Sequence, residues 1–281
     1  MNFQIDSLSP MPVLALRRTV LEFRGADTIR FLNGQMSNDV RKLTPAAALQ
    51  ACVMTAKGKM NAEVWLTQLP DGIRVDAAHE LGDSLAARFD RYLIADDVTL
   101  TDVSTFWKLE HHLAFPAAPD AVTSRRFGRD GYDLWLAADA PDSPEVVSSD
   151  VAEALRIEQG IPLWGRELDE NTIPVEAGLD CIDYHKGCYI GQEVISRLKS
   201  IGHVNRLLVR LLGPLPSSLA PGLVLQRDGQ PVGTVTSAAA ALTLPNTVAL
   251  AYLKRQHATP GIVLTSAAAP GENFTVLPLH P

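Results

Sequence analysis

The apolar positions of this chain switch between two rhythms, and the switches mark out its elements. Residues 13–23 read as one or two strands, broken near the adjacent charges of Arg17 and Arg18. Gly25-Ala26-Asp27 then offers a turn and an N-cap. Beyond it Ile29, Leu32, Met36, Val40 and Leu43 keep the spacing of one helix face, which predicts a helix over about residues 27–43. Residues 50–55 and 60–68 read as strands around the charged tip Ala56-Lys57-Gly58-Lys59, and Pro70-Asp71-Gly72 turns the chain into another strand at 73–77. Leu81, Leu85, Phe89 and Leu93 predict a second helix, and 97–103 returns as a strand. Strand, helix, three strands, helix, strand is an α+β layout in which helices cover one face of a mainly antiparallel sheet.

Further along, 107–115 and 132–137 have strand character, separated by Arg125-Arg126-Phe127-Gly128-Arg129. Three arginines in five positions read as a solvated edge, with an anion such as a polyglutamate tail as the alternative. Asp150 and Glu153 open a helix carrying Val151, Leu155 and Ile157, and Pro162 limits its extent. After Arg206 the composition shifts. Six short strands, at 207–212, 223–226, 232–237, 248–254, 262–266 and 274–279, are separated by Pro, Gly and Ala-rich turns, among them the hairpin signal Asp228-Gly229. Their natural closure is an antiparallel barrel, so the expected division is an N-terminal region over 1–205 and a C-terminal β-barrel domain over 206–281.

Composition narrows the class of protein. With 281 residues, 46% hydrophobic and 20% charged, the chain has the make-up of a soluble globular protein with a sizeable core. Its net charge of -7 argues against broad binding to nucleic acid or an anionic membrane. No run approaches the roughly 18 uninterrupted apolar residues of a membrane span, and residues 1–16 lack the basic start and long apolar core of a secretory leader. Three cysteines, Cys52, Cys181 and Cys188, form no CxxC pair. Neither a disulfide framework nor a metal site is suggested, and a reducing, cytoplasmic setting is expected.

Chemistry concentrates in Lys186-Gly187-Cys188-Tyr189-Ile190-Gly191-Gln192-Glu193, followed by Val194, Ile195 and Leu198 at helical spacing. A helix is therefore expected to begin at or just after Gly191, which places Cys188 beside a helix N-terminus and two residues from Lys186. Both surroundings favour a thiolate. The same triplet also suits a small buried cysteine in a tight turn. Within the first predicted helix, Asn33-Gly34-Gln35 and Ser37-Asn38-Asp39 read as a solvated face or, alternatively, a ligand-facing one.

The 186–193 stretch resembles the signature of the YgfZ family of folate-binding proteins, relatives of the glycine-cleavage T-protein: Lys-Gly-Cys, then Tyr or Phe, any residue, and Gly-Gln-Glu. The resemblance extends to the opening helix around Asn33-Gly34 and Ser37-Asn38-Asp39, to the Lys57-Gly58-Lys59 hairpin, to Arg156-Ile157-Glu158-Gln159-Gly160-Ile161-Pro162, and to Val232-Gly233-Thr234. It implies a bilobed, T-protein-like folate-binding region of two intertwined α+β lobes, binding tetrahydrofolate or a one-carbon derivative in a central cleft without a stable metal. On this reading Cys188 and Lys186 are catalytic. Glu158 binds the pterin, and Asn33, Tyr189, Gln192 and Glu193 contribute to the folate site. The implied role is support of iron–sulfur enzymes, with client enzymes or assembly factors as partners.

Two other readings stand beside this one. The aminomethyltransferase itself carries paired aspartates after a Gly-Gly turn; here the corresponding residues are Gly58-Lys59-Met60-Asn61-Ala62-Glu63, leaving Glu63 as an imperfect substitute. A folate-gated scaffold for a cluster or client is the non-catalytic reading, although three scattered cysteines do not supply a four-thiolate site. Cys181 is expected to be a packed cysteine or, alternatively, a second thiol.

Overall fold

The computed structural model describes residues 11–114, 120–200 and 202–280, which divide into two compact units. The first unit comprises 11–146 and 180–202. It begins with β1 (Val13–Leu16), β2 (Arg18–Arg24) and α1 (Thr28–Gln35), and continues through β3 (Leu49–Met54), β4 (Met60–Leu69) and β5 (Gly72–Ala78). After these come α2 (Gly82–Asp90), β6 (Thr99–Asp102), β7 (Trp107–His112), β8 (Val122–Ser124) and β9 (Gly131–Ala137). Two antiparallel sheets result, one of five strands in the order β3-β4-β5-β2-β6 and one of four in the order β1-β7-β9-β8. Phe115, the end of one expected strand, lies outside the described residues.

The two faces of the five-stranded sheet differ in chemistry. In the β2–β5 register Leu21 sits opposite Val75 and Phe23 opposite Ile73. Phe23 meets Phe31 of α1 and Phe89 of α2, with ring centroids 6.3 and 5.1 Å away, so this face is the apolar one beneath the helices. The alternate positions pair Glu22 with Arg74 and Val20 with Asp76, as the period of two in a strand requires. Arg74 bonds Glu22 at 2.8 Å and stacks over Trp107 and Trp135, at 4.2 and 4.8 Å from the ring centroids. The layer between the two sheets is therefore charged and aromatic.

Arg126 completes that layer, and this corrects the solvated-edge reading of the arginine run. Its side chain is only 3% exposed and holds Asp76 with two bonds, at 2.9 and 2.7 Å, and Asp133 with a third at 2.7 Å. Arg18 reaches the same Asp76 at 2.6 Å, while His111 and Ser124 bond Asp133 at 2.8 and 2.7 Å. Arg125, its neighbour, does remain exposed, paired with Asp130. The two arginines lie just past β8, one turned inward to buried carboxylates and the other outward to an exposed one.

The first helix is also shorter than its apolar spacing predicts. It ends at Gln35, Met36 bridges to Val53, and a separate 3₁₀ turn covers Val40–Lys42. Side chains in the gap compete with the helix for the backbone: Asn33 accepts from the Val40 N–H at 3.0 Å, and Asn38 from the Asp39 N–H at 2.9 Å. Gln35, Ser37 and Asp39 are buried, so the polar concentration is not a solvated face.

The second unit, 147–179 and 203–280, contains α3 (Ser149–Gln159) and six strands: β10 (Arg206–Gly213), β11 (Val224–Arg227), β12 (Gln230–Ala240), β13 (Thr247–Lys254), β14 (Val263–Leu264) and β15 (Phe274–Leu277). All six expected strands form, and the sheet order β11-β12-β13-β10-β15-β14 closes through reciprocal backbone bonds between Gln226 and Thr265, at 2.7 and 2.9 Å. Asp228 and Gly229 occupy the left-handed conformation at the expected β11–β12 turn. Ile157 of α3 packs on Leu208, Val248 and Leu250, so residues 147–179 group with the barrel instead of with the N-terminal region. Helix α4 (Gln192–Ser200), which begins where the Gly191 signal places it, returns to the first unit.

Replacing Arg126 with Met is expected to cost about 3–5 kcal/mol in urea unfolding, because it strands two buried carboxylates; Arg125→Met should stay within about 0.5 kcal/mol. Burial alone would raise the Asp133 carboxyl, but Arg126 and His111 outweigh it and hold it at about 2. Its contribution should therefore be complete above the ordinary carboxylate range and disappear as pH falls from about 4 through 2. Urea midpoints across that interval measure the loss.

Candidate functional site

The signature loop is fastened to α1 by its lysine. Helix α1 ends with carbonyls that no following turn satisfies. The Lys186 ammonium donates to the carbonyls of Asn33, Met36 and Asn38 at 2.7, 2.7 and 2.8 Å, which uses all three of its N–H bonds. A cation at a helix C-terminus also complements the dipole. Tyr189 covers the ammonium, its ring centroid 5.0 Å away. Burial pushes Lys186 down to about 8 against the opposing charges of Asp39 and Asp183. Further bonds run from the Asp183 N–H to the Ser37 carbonyl and from the Ile190 N–H to the Gly34 carbonyl, at 3.0 and 3.2 Å. The polar stretch 33–39 is thus the seat of the signature loop.

Glycine is required where this loop enters α4. Gly191 has φ of 90°, and a Cβ there would lie 2.8 Å from the Thr55 carbonyl oxygen. A Cβ on Gly58 at the hairpin tip would lie 3.0 Å from the Val194 side chain, so the β3–β4 turn packs on the start of α4.

The expected site residues divide accordingly. Cys188 is exposed at the apex, beside the N-terminal end of α4. Lys186 lies two residues away in sequence, but its three donors are engaged by carbonyls. Asn33 acts through its backbone carbonyl, its side-chain oxygen being taken by Val40. Tyr189 is buried with its hydroxyl unpartnered, and Gln192 is half-buried. Glu193 is solvated and pairs with Arg197 one turn on.

A cavity of about 550 Å³ opens within the same unit, lined by Asn38, Gln50, Trp65, Ser124, Arg125 and Asp180 among others. Its volume lies in the usual range for small-molecule sites. Gln50 and Trp65 face each other across β3 and β4, and both donate to Oε1 of Glu63, at 2.8 and 3.0 Å. Glu63 therefore stands one hydrogen bond behind the cavity wall, half-buried and held in a fixed orientation. The sequence flagged it only as a stand-in for a missing aspartate; its alternation with Trp65 along one strand face was the available signal.

Glu158 is placed elsewhere. It belongs to the unit that holds the barrel, and it is fully buried and absent from the cavity lining. Burial pushes its carboxyl up, opposed by the backbone N–H groups of Leu242 and Thr243. The Leu242 N–H bonds Oε1 at 2.6 Å, while among the described residues Oε2 lies within hydrogen-bond geometry of none. Within the first unit the Gln50 amide, the Trp65 indole and the half-buried Glu63 carboxylate form a donor set suited to a flat, polar ligand. Among the described residues no group of three or more His, Cys, Asp or Glu side chains is placed to hold a metal ion.

The architecture is that of the glycine-cleavage aminomethyltransferases. The structure superposes on aminomethyltransferase T from Bartonella henselae with a TM-score of 0.80 at 16% identity, covering 95% of this chain and 86% of that one. Residues 208–277 match the family model of the glycine cleavage T-protein C-terminal barrel domain. In sequence, the chain is 27% identical over 266 residues to the tRNA-modifying protein YgfZ of Sodalis glossinidius, covering 82% of this chain and 81% of that protein. It is 28% identical over 242 residues to the mitochondrial iron-sulfur cluster assembly factor IBA57 homolog of Mycosarcoma maydis, covering 75% and 59%. Alignments with aminomethyltransferases span 29–45% of those enzymes' lengths. The chain is thus similar in sequence to YgfZ proteins over most of its length and similar in fold to the T-protein.

Lys186→Met should lower stability by about 2–4 kcal/mol, since it leaves the three carbonyls without their charged donor. Urea unfolding measures this, and unchanged stability would show that the loop is held by other contacts.

Proposed function

We propose that this chain is a tetrahydrofolate-binding maturation factor for iron–sulfur proteins, with Cys188 as its reactive group and Lys186 as a positioning residue. The observation that carries the reading is an exposed cysteine on a loop fastened at three carbonyls, within a stretch that resembles the YgfZ signature. The long alignments with a YgfZ protein and an iron–sulfur assembly factor homologue support the same role. Bound tetrahydrofolate would supply a carrier for a one-carbon unit. Glu158 is assigned to the pterin by its motif alone; separately, within the first unit, the cavity wall of Gln50, Trp65 and the Glu63 behind it offers amide, ring and carboxylate contacts to a small polar ligand. The partners on this reading are iron–sulfur enzymes or their assembly factors, met in the cytoplasm.

Aminomethyl transfer is the less supported chemistry. The stretch 58–63 lacks both aspartates of the T-protein's acid pair and offers Glu63, half-buried, as an imperfect substitute. General acid–base work at the folate would fall to Glu63 alone.

Calorimetric titration with tetrahydrofolate should give saturable binding, weakened about tenfold or more in Glu158→Gln, which keeps the side-chain shape but loses the charge-assisted bond. Unchanged affinity would remove Glu158 from the site. Cys188→Ser should fold and bind folate like the parent yet fail to restore iron–sulfur enzyme activity in a strain deleted for the protein. Full restoration would favour the scaffold reading, and turnover of an aminomethyl-lipoyl donor would favour the transferase.

A further inference from the structure

Cys52 and Cys181 have no part in the site as described, yet they are not independent packing residues. Both are fully buried, and their sulfurs are 3.2 Å apart across 129 positions of sequence. One hydroxyl fixes both backbones: Ser37 Oγ donates to the Cys181 carbonyl at 2.6 Å and accepts from the Cys52 N–H at 2.8 Å. The Cys181 thiol and then burial push the Cys52 thiol up.

The pair also lies against the cavity. Cys52 is two residues from Gln50 on β3 and opposite Glu63 on β4, as Gln50 is opposite Trp65. By strand alternation these four side chains share one face of the sheet. Asp180, adjacent to Cys181, lines the cavity from the other chain segment. The cavity therefore borders the sheet face that carries Cys52.

We propose that Cys52 and Cys181 form a two-electron oxidation site for a small hydroperoxide, closing to a disulfide that ties the segment leading to Lys186 onto β3. In the first step one thiolate attacks a peroxide oxygen and the O–O bond breaks. This gives a sulfenic acid and, from hydrogen peroxide, hydroxide that takes up the thiol proton as water. In the second, the other sulfur attacks the sulfenic sulfur, forming the S–S bond and expelling a second water. The dithiol loses two electrons and the peroxide gains them. Cys188, exposed on the far end of the same segment, takes no part. The inference is independent of the folate reading.

The test treats the full-length protein with stepwise hydrogen peroxide, alkylates the remaining thiols in denaturant, and maps peptides without reduction. The expected result is loss of two of the three titratable thiols, a Cys52–Cys181 cross-linked peptide, an alkylated Cys188, and recovery of all three thiols with dithiothreitol. Cys188→Ala should form the same cross-link, and Cys52→Ala should form none. Three thiols surviving at peroxide concentrations that oxidise a free small-molecule thiol would overturn the proposal. So would a cross-link to Cys188 or between two chains, or oxidation that stops at a single cysteine.

Discussion

A single ammonium group in a ring of carbonyls holds the candidate site together. Helix α1 stops after eight residues and leaves acceptors pointing into the protein, where water cannot reach them at low cost. Lys186 reaches the Asn33, Met36 and Asn38 oxygens at once, which no neutral side chain could do with comparable strength. The loop that carries Cys188 is consequently not a free surface loop but the lid of a helix end. Tyr189, Gly191 and the hairpin tip at Gly58 each follow from that attachment, because the chain must turn sharply from the buried lysine into α4.

A second set of buried charges organises the space beside it. Arg126 and Arg74 join the five-stranded to the four-stranded sheet through carboxylates and indole rings. Arg126 also lies over the Trp65 ring, 4.8 Å from its centroid, so the wall of the cavity and the joint between the sheets share a residue. Side chains that must satisfy several fixed partners are restricted to one position. This suits a cavity wall meant to orient a polar ring.

Much of the architecture was legible from pattern alone. The six barrel strands, the Asp228-Gly229 turn, the break at Arg17-Arg18 and the start of α4 after Gly191 rest on local signals of alternation and turn chemistry, and all appear. The misreadings have long-range causes. The helix expected over 27–43 was cut short by side-chain bonds and by pairing of Met36 with Val53, neither visible in apolar spacing. Arg126 looked like its exposed neighbour because its partners, Asp76 and Asp133, come from other strands. The Cys52–Cys181 contact joins residues 129 apart, and spacing cannot reveal such a pair. The signature residues were legible as a group through their resemblance, but which of them faces solvent and which faces a helix end was not.

The path of the chain has a consequence for how the molecule is made. Residues 147–179 belong with the barrel, yet the next stretch, 180–202, returns to the first unit before the chain leaves it again. During synthesis from the N-terminus, both sheets of the first unit emerge well before Lys186, so α1 spends that interval with its terminal carbonyls uncapped and β3 without the segment that carries Cys181. Completion of the earliest-made unit therefore waits on a segment delivered late, after the first piece of the other unit has already left the ribosome.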